Sequence, residues 1–112
     1  EQAHARNPSP QADYEVMLGL CSYMQGDYQK ALFWIRRADL QKSPLYHFVA
    51  AAIYGQLGDA SAAERERQWI LPNAPAFLGD IHRQLQMRIK APRDQEHFLD
   101  GLKRAGFLLS GS

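Results

Sequence analysis

The side chains best suited to metal or nucleophilic chemistry are four histidines, His4, His47, His82 and His97, and one cysteine, Cys21. A helical zinc site needs two histidines four residues apart on one face, and no pair here has that spacing. Asp94, Glu96 and His97 cluster at the start of a predicted helix, where acidic side chains are accounted for by the positive end of the helix dipole. Cys21 has no second cysteine to pair with, and its apolar neighbours make it a small core residue rather than a reactive thiol. There is no Gly-rich phosphate loop, Ser-centred elbow or Cys/His pair, so no catalysis, metal or other cofactor is expected. Arg83, Arg88, Lys90 and Arg93 gather near one predicted turn, yet Asp80 and Asp94 are interleaved with them. That mixture reads as solvated surface rather than a nucleic-acid site. What remains is the chemistry of apolar contact, and the helices that could present it.

Composition agrees. Hydrophobic residues make up 46% and charged residues 22% of 112 residues, with a net charge of +1, so disorder and a strong electrostatic partner are both disfavoured. A chain of this size forms one domain and buries about two-thirds of its unfolded surface. The longest apolar run, residues 48–55, is too short to cross a bilayer, and no signal-like segment opens the chain. A soluble, cytoplasmic protein is expected, with neither nucleic acid nor membrane as partner. The chain starts at Glu1 in mid-pattern, which suggests a segment of a longer protein.

Two stretches organise the chain: Gln25-Gly26-Asp27-Tyr28-Gln29-Lys30-Ala31-Leu32 and Leu57-Gly58-Asp59-Ala60-Ser61-Ala62-Ala63-Glu64. In each, Gly can adopt the left-handed conformation that ends a helix, Asp can cap the next, and an Ala four residues later lets two helices approach closely. Ser9-Pro10 and Ser43-Pro44 are matching helix starts, a capping side chain followed by Pro in the first turn. Residues 1–8 read as the end of a preceding helix. Helices are expected over residues 10–24, 28–41, 44–56 and 60–71, a unit of 32 to 34 residues that implies a stacked helical array.

In the first helix Tyr14, Met17, Leu18, Cys21 and Met24 form one apolar face and Val16, Leu20 and Tyr23 a second. A helix apolar on two sides needs two neighbours, or one neighbour and an exposed groove. The second helix turns Tyr28, Ala31, Leu32, Ile35 and Ala38 inward. Tyr46, Val49, Ala50, Ile53, Tyr54 and Leu57 are the apolar positions of the third, and Ala60, Ala63, Arg67, Trp69 and Ile70 of the fourth. After Pro75 the Gly-Asp turn is not expected to recur. Phe77, Ile81, Leu85 and Ile89 space out as one further helix, and Phe98, Leu99, Leu102 and Ala105 as a last one, ending in Lys103, Arg104 and a terminating Gly106. This degenerate pair is expected to cap the array.

These features resemble the tetratricopeptide repeat family. Leu18, Gly19, Ala31 and Ile35 meet its pattern in the first unit, and Ala51, Tyr54, Gly58, Ala63 and Pro75 in the second. Glu15 and His47 stand where the family has an aromatic, Ser22 where it has Tyr, and Arg67 where it has a large apolar residue. More narrowly, Asn7-Pro8-Ser9-Pro10, Gly26-Asp27-Tyr28 and residues 98–106 resemble the C-terminal repeat segment behind the class III cyclase domain of rhizobial-type bacterial proteins. The resemblance implies an all-α, right-handed superhelical array: repeat 1 at 10–43, repeat 2 at 44–75 and a capping pair at 76–106.

It further implies a concave face lined by the first helix of each pair: Asp13, Val16, Leu20, Tyr23 and Met24, then Leu45, Phe48, Ala52 and Gln56. An apolar groove centred on Tyr23 and Phe48 suits a partner peptide or helix. Relatives that clamp a C-terminal carboxylate use Lys and Asn on this face. Val16, Leu20 and Val49 stand there instead, so tail capture is not expected. The expected function is thus a non-catalytic protein-interaction module in a bacterial cyclase-like signalling protein. The alternative is a module that forms homodimers or docks on its parent domain.

Overall fold

The computed structural model describes residues 10–38 and 43–107, with side chains from Tyr14 onward. Among them are seven α-helices and no strand: α1 Pro10–Met24, α2 Tyr28–Ala38, α3 Pro44–Leu57, α4 Ala60–Asn73, α5 Pro75–Gly79, α6 Ile81–Arg88 and α7 Pro92–Arg104. The helix exit expected over 1–8, the Ser9 cap, the side chain of Asp13 and the expected end of the second helix at Gln41 lie outside the described residues. No described helix is long and apolar enough to cross a membrane.

The helix ends are written locally. Gly26, Gly58 and Gly106 have φ of 81°, 77° and 106°, the left-handed region that costs glycine nothing. The same pair of backbone bonds closes each turn. At the first, Asp27 N donates to Ser22 O at 3.0 Å and Gly26 N to Tyr23 O at 2.9 Å; Asp59 N to Tyr54 O and Phe107 N to Leu102 O are their counterparts. Asp27 and Asp59 then cap α2 and α4, accepting from Lys30 N at 3.2 Å and Ala62 N at 3.1 Å, and Ser43 accepts from Tyr46 N at the start of α3.

Both turns fold helix pairs, α1 on α2 and α3 on α4, and α2 packs on α3 to join them. Ala31 and Ala63 lie buried at these contacts. Gly19 allows the first: a Cβ there would meet Ile35 Cγ1 at 3.0 Å and Ala31 O at 3.3 Å. Two departures from the family pattern have a physical account. Glu15 is buried and bonded to Arg37 Nε at 2.7 Å, so an ion pair between α1 and α2 stands where an aromatic was expected. His47 stacks on Trp69 with centroids 3.8 Å apart and bonds Glu66 through Nδ1 at 2.6 Å, doing an aromatic's work with a polar ring.

Three expectations need correction. Of the first apolar face read on α1, Tyr14, Met17 and Cys21 are exposed and Leu18 and Met24 half-buried, so Cys21 is not a core residue. The buried face is instead Glu15, Val16, Gly19, Leu20, Ser22 and Tyr23. Periodicity counts apolar residues, and here a paired carboxylate and a glycine mark the side that α2 covers. Next, the single helix expected after Pro75 is two, α5 and α6, because Gly79-Asp80 breaks it. Asp80 N–H bonds Ala76 O and Phe77 O, and Asp80 has φ −106°, ψ 20°. Finally, the face of α1 and α3 expected to form an apolar groove is covered from within the chain: α7 lies mainly against α3, and also touches α1.

Candidate functional site

Where an apolar groove was expected between α1 and α3, α7 packs mainly against α3 and touches α1. Its central contact is made by two glycines. A Cβ on Gly55 of α3 would clash with the carbonyl oxygen of Gly101 and stand 2.9 Å from Ala105 N. A Cβ on Gly101 of α7 would clash with the Tyr23 hydroxyl and lie 2.8 Å from Ala52 O. Backbone therefore meets backbone there, as glycine permits. Phe98 and Leu102 of α7, and Ala105 and Phe107 beyond it, are buried around this crossing.

Tyr23 is the hub. Its ring lies 4.5 Å from His97, 5.3 Å from Tyr28 and 5.6 Å from Phe98. Its hydroxyl donates to His97 O at 2.6 Å and accepts from Gln56 Nε2 at 3.1 Å. Burial pushes the phenol well above its ordinary value, against the opposing Gln56 bond. The same Gln56 amide donates to Asp100 Oδ2 at 3.1 Å, and Arg104 Nε donates to that oxygen at 2.8 Å. The Arg104 bond chiefly, and Gln56 with it, hold the Asp100 carboxyl below its usual range. Tyr28 Oη and His97 Nε2 share a further bond of 2.7 Å. At the other end Phe48 stacks on Phe77 at 4.9 Å and lies 6.0 Å from Phe107, and Arg88 sits 5.7 Å over Phe77.

The residues expected to line the groove are therefore placed as follows. Val16, Leu20, Tyr23, Phe48 and Ala52 are buried in one core; Met24, Leu45 and Gln56 are half-buried at its margins. Tyr23, Ala52 and Gln56 touch α7, and Phe48 faces Phe77 and Phe107. Reasoning from sequence missed Gly55, Gly101, His97, Asp100 and Phe107. The two glycines carried a readable signal, since Gly inside a helical pattern is costly and marks a close approach.

The site's chemistry is that of fit. Among the described residues every buried side-chain nitrogen and oxygen has a partner, and no three His, Cys, Asp or Glu side chains cluster as metal ligands would. A cleft of about 630 Å³ on the outer side of α7 is lined by His82, Gln95, Glu96, Leu99, Asp100 and Lys103, a mixed-charge set open to solvent. Comparison with protein-family models, curated proteins and solved structures returned no match to this chain.

Proposed function

We propose that this chain is a non-catalytic, tetratricopeptide-like interaction module whose α1–α3 face binds a helix. One observation carries the reading: that face already holds an amphipathic helix, α7, by buried aromatic anchors and a satisfied polar rim. An interface core of this composition is what concentrates binding energy elsewhere in proteins. The resemblance of residues 98–106 and the Gly-Asp turns to a cyclase-associated segment favours a regulatory place in a multidomain bacterial signalling protein.

The test is a library of displayed helices panned against the full chain, with amide exchange to locate the bound site. Binders should protect α1 and α3 and make α7 amides exchange faster. Binders that protect other surfaces only, or none at all, would overturn the reading.

A second reading, homodimerisation or docking on a parent domain, is favoured by Tyr14 and Met17, exposed at 64% and 41% on α1. Light scattering over a concentration series separates the two. A dimer lost on Met17→Glu would favour this second reading.

A further inference from the structure

Phe33 is 56% exposed on α2, while Ala31, Leu32, Ile35 and Ala38 of the same helix are buried. A lone exposed aromatic needs no explanation, but Phe33 is not alone. Its neighbours on the helix surface are the residues three and four positions away, here Gln29, Lys30, Arg36 and Arg37, and all of them are exposed. Residues 28–38 hold these three cations and no acidic side chain. Trp34, half-buried, extends the aromatic surface, the two rings meeting edge to face with centroids 5.1 Å apart.

The patch is shaped as well as charged. Gln29, Leu32, Phe33, Arg36 and Arg37 line an open groove of about 490 Å³. Arg37 is 55% exposed, and the buried Glu15 carboxylate holds it through Nε at 2.7 Å. That bond uses one N–H of the guanidinium and leaves its other donors for a ligand. Among the described residues no carboxylate lies within ion-pair distance of Lys30 or Arg36. With Glu15 set against Arg37, two cations flank Phe33 unopposed, Lys30 toward the start of the helix and Arg36 toward its end.

From these observations we infer that the outer face of α2 is a docking site for an acidic peptide segment. One apolar side chain of that segment rests on Phe33 and Leu32, and its carboxylates meet Lys30, Arg36 and Arg37. An aromatic anchor beside Arg side chains is the composition that concentrates binding energy at interfaces, and the charge selects the partner and speeds its approach. The concave shape favours a chain over a bilayer, which is flat and rewards cations spread over a whole face; the net charge here is only +1. The site involves neither α7 nor the contact of α1 with α3, so it stands apart from the function proposed above.

The experiment selects against the full chain from a displayed library of dodecapeptides, each half Asp or Glu with a varied apolar centre. The best sequence is then measured by fluorescence anisotropy against the parent, Phe33→Ala and Arg36→Glu, with circular dichroism to report folding. Both positions are exposed, so both variants should melt close to the parent, and either alone carries the test. Each should bind the peptide about tenfold or more weaker than the parent does. Parent binding should weaken several-fold between about 50 and 300 mM salt, and Arg36→Glu should flatten that dependence. Failure to select any acidic sequence, or equal binding by the parent and the folded variants, would overturn the inference. So would sedimentation of the parent, but not of Phe33→Ala, with phosphatidylserine vesicles when no peptide binds, a result that assigns the patch to a membrane surface instead.

Discussion

Tyr23 shows how one residue ties sequence to packing. Its ring supplies apolar area and its hydroxyl sits between His97 O and Gln56, so Tyr23→Phe strands partners on both sides. The expected loss is about 1–2 kcal/mol, read by denaturant unfolding. Because the folded phenol resists ionisation while the unfolded one ionises near pH 10, its contribution is complete below about 10 and falls above it. The gap between parent and Tyr23→Phe should therefore narrow in alkali, and a gap that widens would contradict the burial. Asp100 has the opposite sign. Its carboxyl titrates lower in the fold, so its contribution is present above about pH 4 and fades as pH falls through the lower folded value. The side chain is 49% exposed, which limits Asp100→Asn to less than about 1 kcal/mol at neutral pH, smaller still in high salt. Only once the pH has fallen below the folded value as well should the two proteins melt together.

Among elements, the hairpins rest on small residues at the contact. Ala31 is fully buried and Ala63 nearly so, so Ala31→Leu or Ala63→Leu should overpack the pair and cost about 1–3 kcal/mol. Melting like the parent would show the pairing to be wrong. Gly55→Ala sets two effects against each other: alanine favours the helix by up to about 1 kcal/mol, while its methyl meets the Gly101 carbonyl. The clash is with backbone, which cannot swing aside as a side chain can, so a net loss of stability is expected in thermal melts. A gain would mean α3 and α7 do not touch there. Gly79-Asp80 is the element-scale counterexample. It breaks a helix without the positive φ of the other Gly-Asp pairs, so the dipeptide marks an interruption but does not specify its geometry.

At the scale of the molecule, α7 packs across α3 and joins the two helix pairs in one core. The radius of gyration is 13.4 Å, near the roughly 13 Å of a compact globule of this length. With the groove occupied from within, dimerisation through it has no driving force. The parent chain should scatter light as a monomer across micromolar concentrations, and a concentration-dependent dimer would shift attention to Tyr14, Met17 and the exposed Phe33.

The chain's local signals were enough for most of its helix ends, the break at Gly79-Asp80 excepted. Gly26-Asp27 and Gly58-Asp59 marked both turns, Ser43-Pro44 the start of α3, and Ala31 and Ala63 the close contacts, because caps and turns depend on residues within a few positions of one another. Phe98 and Leu102 likewise announced the inner face of α7. Its destination was not legible, since an amphipathic helix states that it must be covered but not by what. Which side of α1 is buried was equally undecided while both sides were apolar. The tertiary structure settled each of these: Gly19 lets α2 onto the side carrying Glu15, and the match of Gly55 to Gly101 admits α7 to the groove. Those choices depend on shape across residues far apart in sequence, and periodicity along one helix carries no information about them.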